Sequence, residues 1–191
     1  NGLMRHVPIL CAALKANPGP APRHLAEIGA GDGTLLLQVA REMRPLWPQV
    51  RVTLVDRQPV VSDDTLGQFQ ALGWEVEVLV ADVFDWLSAA NQSCDAILAN
   101  LFLHHFTNRK LGGMLRLIAA RTPLFLACET RREWPSFAAS RLLGLLGCNS
   151  ITRHDAVISM RAGFRGRELS ALWPAQRGWQ LEERRTILFT H

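Results

Sequence analysis

The segment His24-Leu-Ala-Glu-Ile-Gly-Ala-Gly-Asp-Gly-Thr-Leu-Leu-Leu37 constrains the chain most, because it reads as a short strand, a turn with three glycines and the start of a helix. Glycine tolerates positive φ and carries no Cβ. Gly29, Gly31 and Gly33 therefore let the backbone reverse tightly while a nucleoside lies against it, although a strand-to-helix turn without a ligand has the same look. Glu27 stands two residues before the first glycine, and a carboxylate there suits a cationic ligand better than a pyrophosphate. Two nucleotide loops are excluded. The dinucleotide fingerprint G-x-G-x-x-G meets Thr34 at its sixth position, and a phosphate loop needs Gly-Lys-Ser/Thr where no lysine lies between Lys15 and Lys110.

The flanking pattern is an alternation of strands and helices. A lead-in helix over residues 4–15 is followed by the breaker cluster Asn17-Pro-Gly-Pro-Ala-Pro22 and a strand over 24–28. Leu36, Val39, Ala40 and Met43 recur at helical spacing until Pro45 and Pro48. Strands are expected at 51–55, 75–80, 95–99 and 123–128, with helices at 62–72, capped by Ser62, and at 109–120. Apolar strands of five or six residues separated by helices predict an α/β, doubly wound, mostly parallel sheet buried on both faces. Ligands of such sheets sit beyond the carboxyl ends of the strands. Beyond residue 130 the reading is a helix over 134–146, an irregular stretch over 148–165 and a short helix from Arg167 to Trp173. A terminal antiparallel hairpin of 179–183 with 186–191 completes it; the missing initial methionine and the abrupt stop suggest trimmed ends.

With 191 residues and 48% apolar content the chain can bury one core, so a single domain is expected. No apolar run reaches membrane-span length and no signal pattern opens the chain, which predicts a cytoplasmic protein. Cys11, Cys94, Cys128 and Cys148 lack metal-ligand spacing, so they are expected to be reduced and no metal is assigned. The excess charge lies in the last third: residues 129–191 hold ten arginines against six acids, whereas residues 1–128 balance at eleven each. This dispersed charge reads as a solvated surface more readily than as a nucleic-acid patch.

Acidic residues follow at the strand ends. Asp56 closes the second strand, where a carboxylate can take both hydroxyls of a ribose or hold a turn. Asp82 and Val83 follow the third strand, where Asp82 also fits as a helix cap. The fourth strand runs into Asn100-Leu-Phe-Leu-His-His-Phe106. With E-x-G-x-G-x-G, these strand-end motifs resemble the class I S-adenosylmethionine-dependent methyltransferases, and the last resembles the N-x-x-L-H-H-F segment of the small-molecule, quinone-methylating-like group. The resemblance covers about residues 24–130.

The resemblance implies a Rossmann-like methyltransferase fold with residues 23–130 as cofactor-binding core and 131–191 as substrate side. S-adenosyl-L-methionine would be the cofactor and S-adenosyl-L-homocysteine its product. Glu27, Gly29, Gly31, Gly33, Asp56, Arg57, Asp82, Val83 and Asn100 would bind it, with Asp82 on the adenine amino group and Val83 against the purine. An imidazole titrates in the right range to take a hydroxyl proton. His104, His105 and, from a segment resembling one in a bacterial subgroup, His154 are therefore the catalytic candidates, all of them also open to structural roles. Asp155, Ser159 and Arg161 gather near His154, and Glu129 is a further pocket candidate. The expected reaction is methyl transfer to a small-molecule hydroxyl, in a phenol, quinol or polyketide-like compound. An RNA methyltransferase is disfavoured by the absence of Asn/Asp-Pro-Pro-Tyr/Phe, and a catalytically inactive partner subunit stays open.

Overall fold

A computed structural model describes residues 6–89, 93–130, 132, 163–175, 178–184 and 189–190. The chain divides into two compact units, Asn1–Asn100 with Arg116–Leu126, and Leu101–Leu115 with Ala127–His191.

In the first unit, helix α1 (His6–Ala16) precedes strand β1 (His24–Ile28), helix α2 (Thr34–Met43), strand β2 (Arg51–Asp56) and helix α3 (Asp63–Ala71). Strand β3 (Glu75–Val80), helix α4 (Val83–Ser88) and strand β4 (Ala96–Asn100) follow. β1 pairs in parallel with β2 and with β4, and β2 with β3. Apolar residues at the predicted positions drive this layering: Leu25, Ile28, Leu36, Met43, Leu54, Phe69, Trp74, Ile97 and Leu98 are almost wholly buried. Full burial of each large apolar side chain contributes about 1.5–3 kcal/mol relative to exposure. The Trp74 indole, the one polar edge in this group, donates to Trp47 O at 3.0 Å.

Local chemistry sets the ends of these elements. Ser62 Oγ accepts the Thr65 N–H at 3.2 Å, Asp63 and Asp64 occupy the first turn of α3, and Gly73 at φ 79° leads out of it. β4 starts at Ala96, one residue later than expected, because Asp95 is used before the strand: its Oδ2 accepts the N–H groups of Arg23 and His24.

Helix α5 (Asn108–Arg121) leads to strand β5 (Phe125–Thr130), and strand β6 (Phe189–Thr190) is the last element. The strand order is β3-β2-β1-β4-β5-β6. β5 continues the parallel set, with Ile97 N–H donating to Leu124 O at 3.0 Å and Leu101 N–H to Cys128 O at 2.8 Å. It starts two residues beyond the expected Pro123, because Thr122 Oγ1 bonds both the carbonyl and the N–H of Leu124 and holds that segment as a turn.

The second unit departs further from the sequence reading. Residues 179–184 form no strand, so the expected hairpin is not present as such; β6 instead pairs antiparallel with β5, Thr190 opposite Glu129 and Phe189 opposite Thr130. The expected helix from Arg167 to Trp173 is a turn followed by the short 3-10 segment Ser170–Leu172. Gly166, at φ 61°, is left-handed and opens that turn. Phe164 bridges to Thr130, its N–H donating to the Thr130 carbonyl at 2.9 Å, and a Cβ on Gly163 would come within 2.4 Å of that carbonyl. The expected helix over 134–146 and the irregular stretch over 148–162 lie outside the described residues.

Candidate functional site

Four strand ends of the first unit carry the sequence candidates. Between β1 and α2 the three glycines take left-handed conformations, with φ 66° at Gly29, 54° at Gly31 and 74° at Gly33. The turn is tied to β2 by Gly29 N–H to Val55 O at 2.9 Å and closed on itself by Gly33 N–H to Ala30 O at 3.0 Å. A Cβ at Gly31 would meet nothing within 4 Å, whereas one at Gly33 would come within 2.8 Å of Leu54 Cδ1. Gly33 is therefore required by packing of α2 against β2, and Gly31 opens onto free space.

Glu27 stands in β1 opposite Leu54 of β2 and Leu98 of β4 and is 2% exposed. Burial in that apolar setting pushes its carboxyl up to about 8, against the lowering effect of a hydrogen bond from Leu36 N–H; the charges of Asp32 and Asp56 raise it further. Its Oε2 has no partner among the described residues. An uncompensated buried oxygen costs about 1–3 kcal/mol.

Asp56 ends β2 with both oxygens at work: Oδ2 accepts Gly31 N–H and Oδ1 accepts Gln58 N–H, each at 2.9 Å. The turn role and the ligand role considered for it are compatible, since each carboxylate oxygen has a second lone pair. Asp82 caps α4 by accepting Phe84 N–H on Oδ1 at 2.8 Å, and the adjoining Val83 is buried. Arg57 is exposed. Asn100 closes β4, and its buried Oδ1 lacks a partner among the described residues.

In the second unit, the chain after β4 begins with Leu101 at φ 52°, a strained setting for a γ-branched residue. It then forms the 3-10 turn Leu103–His105. His104 is buried with Nδ1 2.7 Å from Glu129 Oε2, whereas His105 is exposed. The two rings lie 4.2 Å apart. The His105 pKa is lowered, first by partial burial and then by neighbouring His104, with Glu129 acting the other way. Sequence reasoning named Glu129 and His104 separately and missed their pairing across 25 residues, for which no local signal exists. Trp173 and Trp179 pack at 4.6 Å between centroids. His154, with Asp155, Ser159 and Arg161, lies outside the described residues.

Cysteine nucleophiles find no support here. Burial pushes the Cys94 thiol up to about 11 and that of Cys128 up to about 12, so neither supplies thiolate near neutral pH. A cleft of about 460 Å³ in the first unit is bordered by Leu14, Lys15, Pro22, Trp47, Asp95 and Leu124. It faces the amino ends of the strands, the opposite end from that where doubly wound sheets take ligands.

A parallel sheet reversing its order at β1 and β4, with a glycine turn and acids at the carboxyl ends, defines a Rossmann-like nucleoside-binding fold. A family model described as a methyltransferase domain matches residues 25–122, more than half of the 191-residue chain. The chain belongs to this methyltransferase-domain family, of the class I type that uses S-adenosylmethionine as methyl donor.

Among solved structures, the plantazolicin methyltransferase BpumL in complex with S-adenosylhomocysteine superposes with a TM-score of 0.61 at 15% identity, over 87% of this chain and 60% of that one. An O-methyltransferase family protein from Burkholderia thailandensis gives 0.61 at 18% identity, over 97% and 55%. The plantazolicin methyltransferase BamL, with a triazolic desmethylPZN analogue and S-adenosylhomocysteine, gives 0.58 at 17%, over 88% and 59%. At these identities the likeness is one of fold, and the chain spans 55–60% of the length of these proteins. No curated protein matches the chain. Among the described residues no helix is long and apolar enough to cross a membrane.

Proposed function

We propose that this chain transfers the methyl group of S-adenosylmethionine to the hydroxyl of a small molecule, of phenol, quinol or polyketide-like chemistry. The observation that carries the reading is the glycine turn with two buried oxygens that lack partners among the described residues, Glu27 Oε2 and Asn100 Oδ1, on neighbouring strands. Both are acceptors, and a ligand with an ammonium and a sulfonium supplies donors and positive charge but no phosphate. The open space at Gly31 suits the same ligand.

In this reading Gly29, Gly31 and Gly33 give the cofactor a close backbone surface and Glu27 faces its cationic end. Asp56 takes the ribose hydroxyls on its spare lone pairs while its other contacts brace the loop. Asp82 and Val83 hold the adenine, Asn100 offers an acceptor, and Arg57 stays at the rim. S-adenosylmethionine supplies a methyl group on an already activated sulfur, so the protein's main task is alignment. The acceptor hydroxyl must lose a proton, for which His104 and His105, in the segment after β4, are the candidates.

Calorimetry with S-adenosylmethionine and S-adenosylhomocysteine tests the cofactor half. Asp56→Ala is expected to weaken both by roughly 100-fold, the loss of two charge-assisted bonds and of the brace on Gly31. Normal binding by the variant removes Asp56 from the site. Methyl transfer to a panel of phenols and quinols, set against bulk RNA, tests the acceptor half. Transfer to RNA alone would replace the small-molecule reading, and cofactor binding without transfer to any acceptor would favour an inactive partner subunit. Unchanged turnover in both His104→Ala and His105→Ala would rule out a histidine base.

A further inference from the structure

Strand β3 ends the sheet of the first unit and, among the described residues, pairs with β2 alone. Every residue of Glu75-Val-Glu-Val-Leu-Val80 is at least partly exposed, and Val80 is 56% exposed. Soluble proteins ordinarily blunt such an edge with lysine, proline or a bulge, because a bare edge is a template for another strand. β3 has none of these. Its register against β2 runs without a skip from Glu75 opposite Arg51 to Val80 opposite Asp56.

The ladder shows which backbone groups are bare. Glu75 N–H donates to Val50 O at 3.0 Å and Ala81 N–H to Asp56 O at 2.9 Å. Successive residues of a parallel ladder turn their N–H and C=O to alternate sides, so Glu75, Glu77, Leu79 and Ala81 face β2. Val76, Val78 and Val80 turn theirs outward, where water or another strand must satisfy them.

The geometry points to a second copy of this chain as the occupant, its β3 running antiparallel to this one about a two-fold axis at Val78. Val78 then faces its own counterpart and Val76 faces Val80 of the second copy, each pair exchanging N–H and C=O bonds in both directions. Cross-strand pairs of β-branched side chains form on that face. On the other face Glu77 falls opposite Leu79 of the second copy and Glu75 opposite Ala81, so no like charges stand directly across. The acids also select the register. An axis at Val76 would set Glu75 against Glu77 of the second copy, and an axis at Val80 would pair Val76 and Val78 with residues beyond the strand. Glu77 is further compensated on its own chain by Arg51, whose Nη2 lies 3.5 Å from Oε2. The contact is isologous and closes as a dimer. It is independent of the methyl-transfer reading.

Sedimentation of the full chain from about 10 µM to 1 mM is the first test. A strand-edge contact is smaller than the roughly 1,200–2,000 Å² of a standard interface, so the average mass should climb from monomer toward dimer only across such concentrations. Val78→Pro deletes an outward N–H and no bond to β2, and should weaken dimerisation by about tenfold or more. Cysteine substitution tests the register. Val78→Cys should yield a disulfide-linked dimer on mild oxidation, since facing Cα atoms about 5.5 Å apart are within disulfide reach. Val76→Cys should stay at the wild-type background, because its counterpart lies about 14 Å along the strand. A chain that remains monomeric up to about 1 mM overturns the proposal, whatever else the edge binds. A dimer indifferent to Val78→Pro, or equal cross-linking of the two cysteine variants, overturns it as well. If Val78→Pro does not fold, the cysteine pair decides, since both are small apolar exchanges on the same strand.

Discussion

Raising the pH from about 5 to 8 is expected to destabilise the ligand-free protein through Glu27 by about 1.4 kcal/mol per pH unit, a contribution that Glu27→Gln removes. The cause is the burial of a carboxyl between Leu54 and Leu98. Below pH 4.5, the ordinary value, the group is protonated in both folded and unfolded chains and has no effect on their balance. Between 4.5 and about 8 the unfolded chain has released the proton while the native state still holds it, so each rise in pH favours unfolding. Above about 8 the native state carries a buried charge and the loss is complete. Urea titrations of wild type and Glu27→Gln across this range measure the difference directly. Parallel pH dependences would show that Glu27 does not hold its proton in the native state.

The same carboxyl makes a prediction about binding. If a cationic ligand end faces Glu27, its charge favours the ionised form, and the proton is expelled as the ligand binds. Calorimetry at pH 7 in buffers of different ionisation enthalpy should then register up to about one proton released per S-adenosylmethionine, and none in Glu27→Gln. Equal release by both proteins would detach Glu27 from the cationic end.

The second large effect separates two glycines two residues apart. Gly33→Ala is expected to cost about 2–4 kcal/mol, combining left-handed strain with a Cβ pressed to 2.8 Å from the fully buried Leu54. Gly31→Leu meets open space, so its stability cost should be the strain alone, about 1–2 kcal/mol. Its side chain would occupy the space where the nucleoside is proposed to lie, and cofactor affinity should fall by roughly 100-fold or more. Chemical denaturation and calorimetry on both variants give the two readouts. Tight cofactor binding by a folded Gly31→Leu would mean that the ligand does not lie over this turn.

These two residues show how unevenly the site was legible. That the turn needs glycines follows from its three-glycine spacing between a strand and a helix, and the left-handed φ values at 29, 31 and 33 agree with it. Which glycine serves packing and which serves a ligand depends on Leu54 of the neighbouring strand, which no local pattern encodes. Asp82 and Asp56 were each given two roles from sequence, and in both the local bond is present, because a bond to an N–H two residues ahead is a short-range matter. The long-range bond from Gly31 to Asp56 needs β2 placed beside β1.

The elements divide in the same way. Periodicity, prolines and the Ser62 cap located β1, β2, β3 and α3 to within a residue, because the signals that start and stop these elements lie within one turn of their ends. Errors fall where a partner decides. β5 runs on to Thr130 where β6 pairs with it, and Trp179 to Glu183 lacks the pairing that its extended pattern implied.

What the sequence by itself determined is therefore the α/β alternation, the glycine turn and the acids at successive strand ends, since each depends on backbone preferences and neighbours a few residues away. Only the tertiary structure decided that burial raises the Glu27 carboxyl, that Asn100 carries an oxygen without a partner among the described residues and that Glu129 grips His104. Those properties come from burial and from pairings 25 residues or more apart, and desolvation has no value until the sheet has closed over the group.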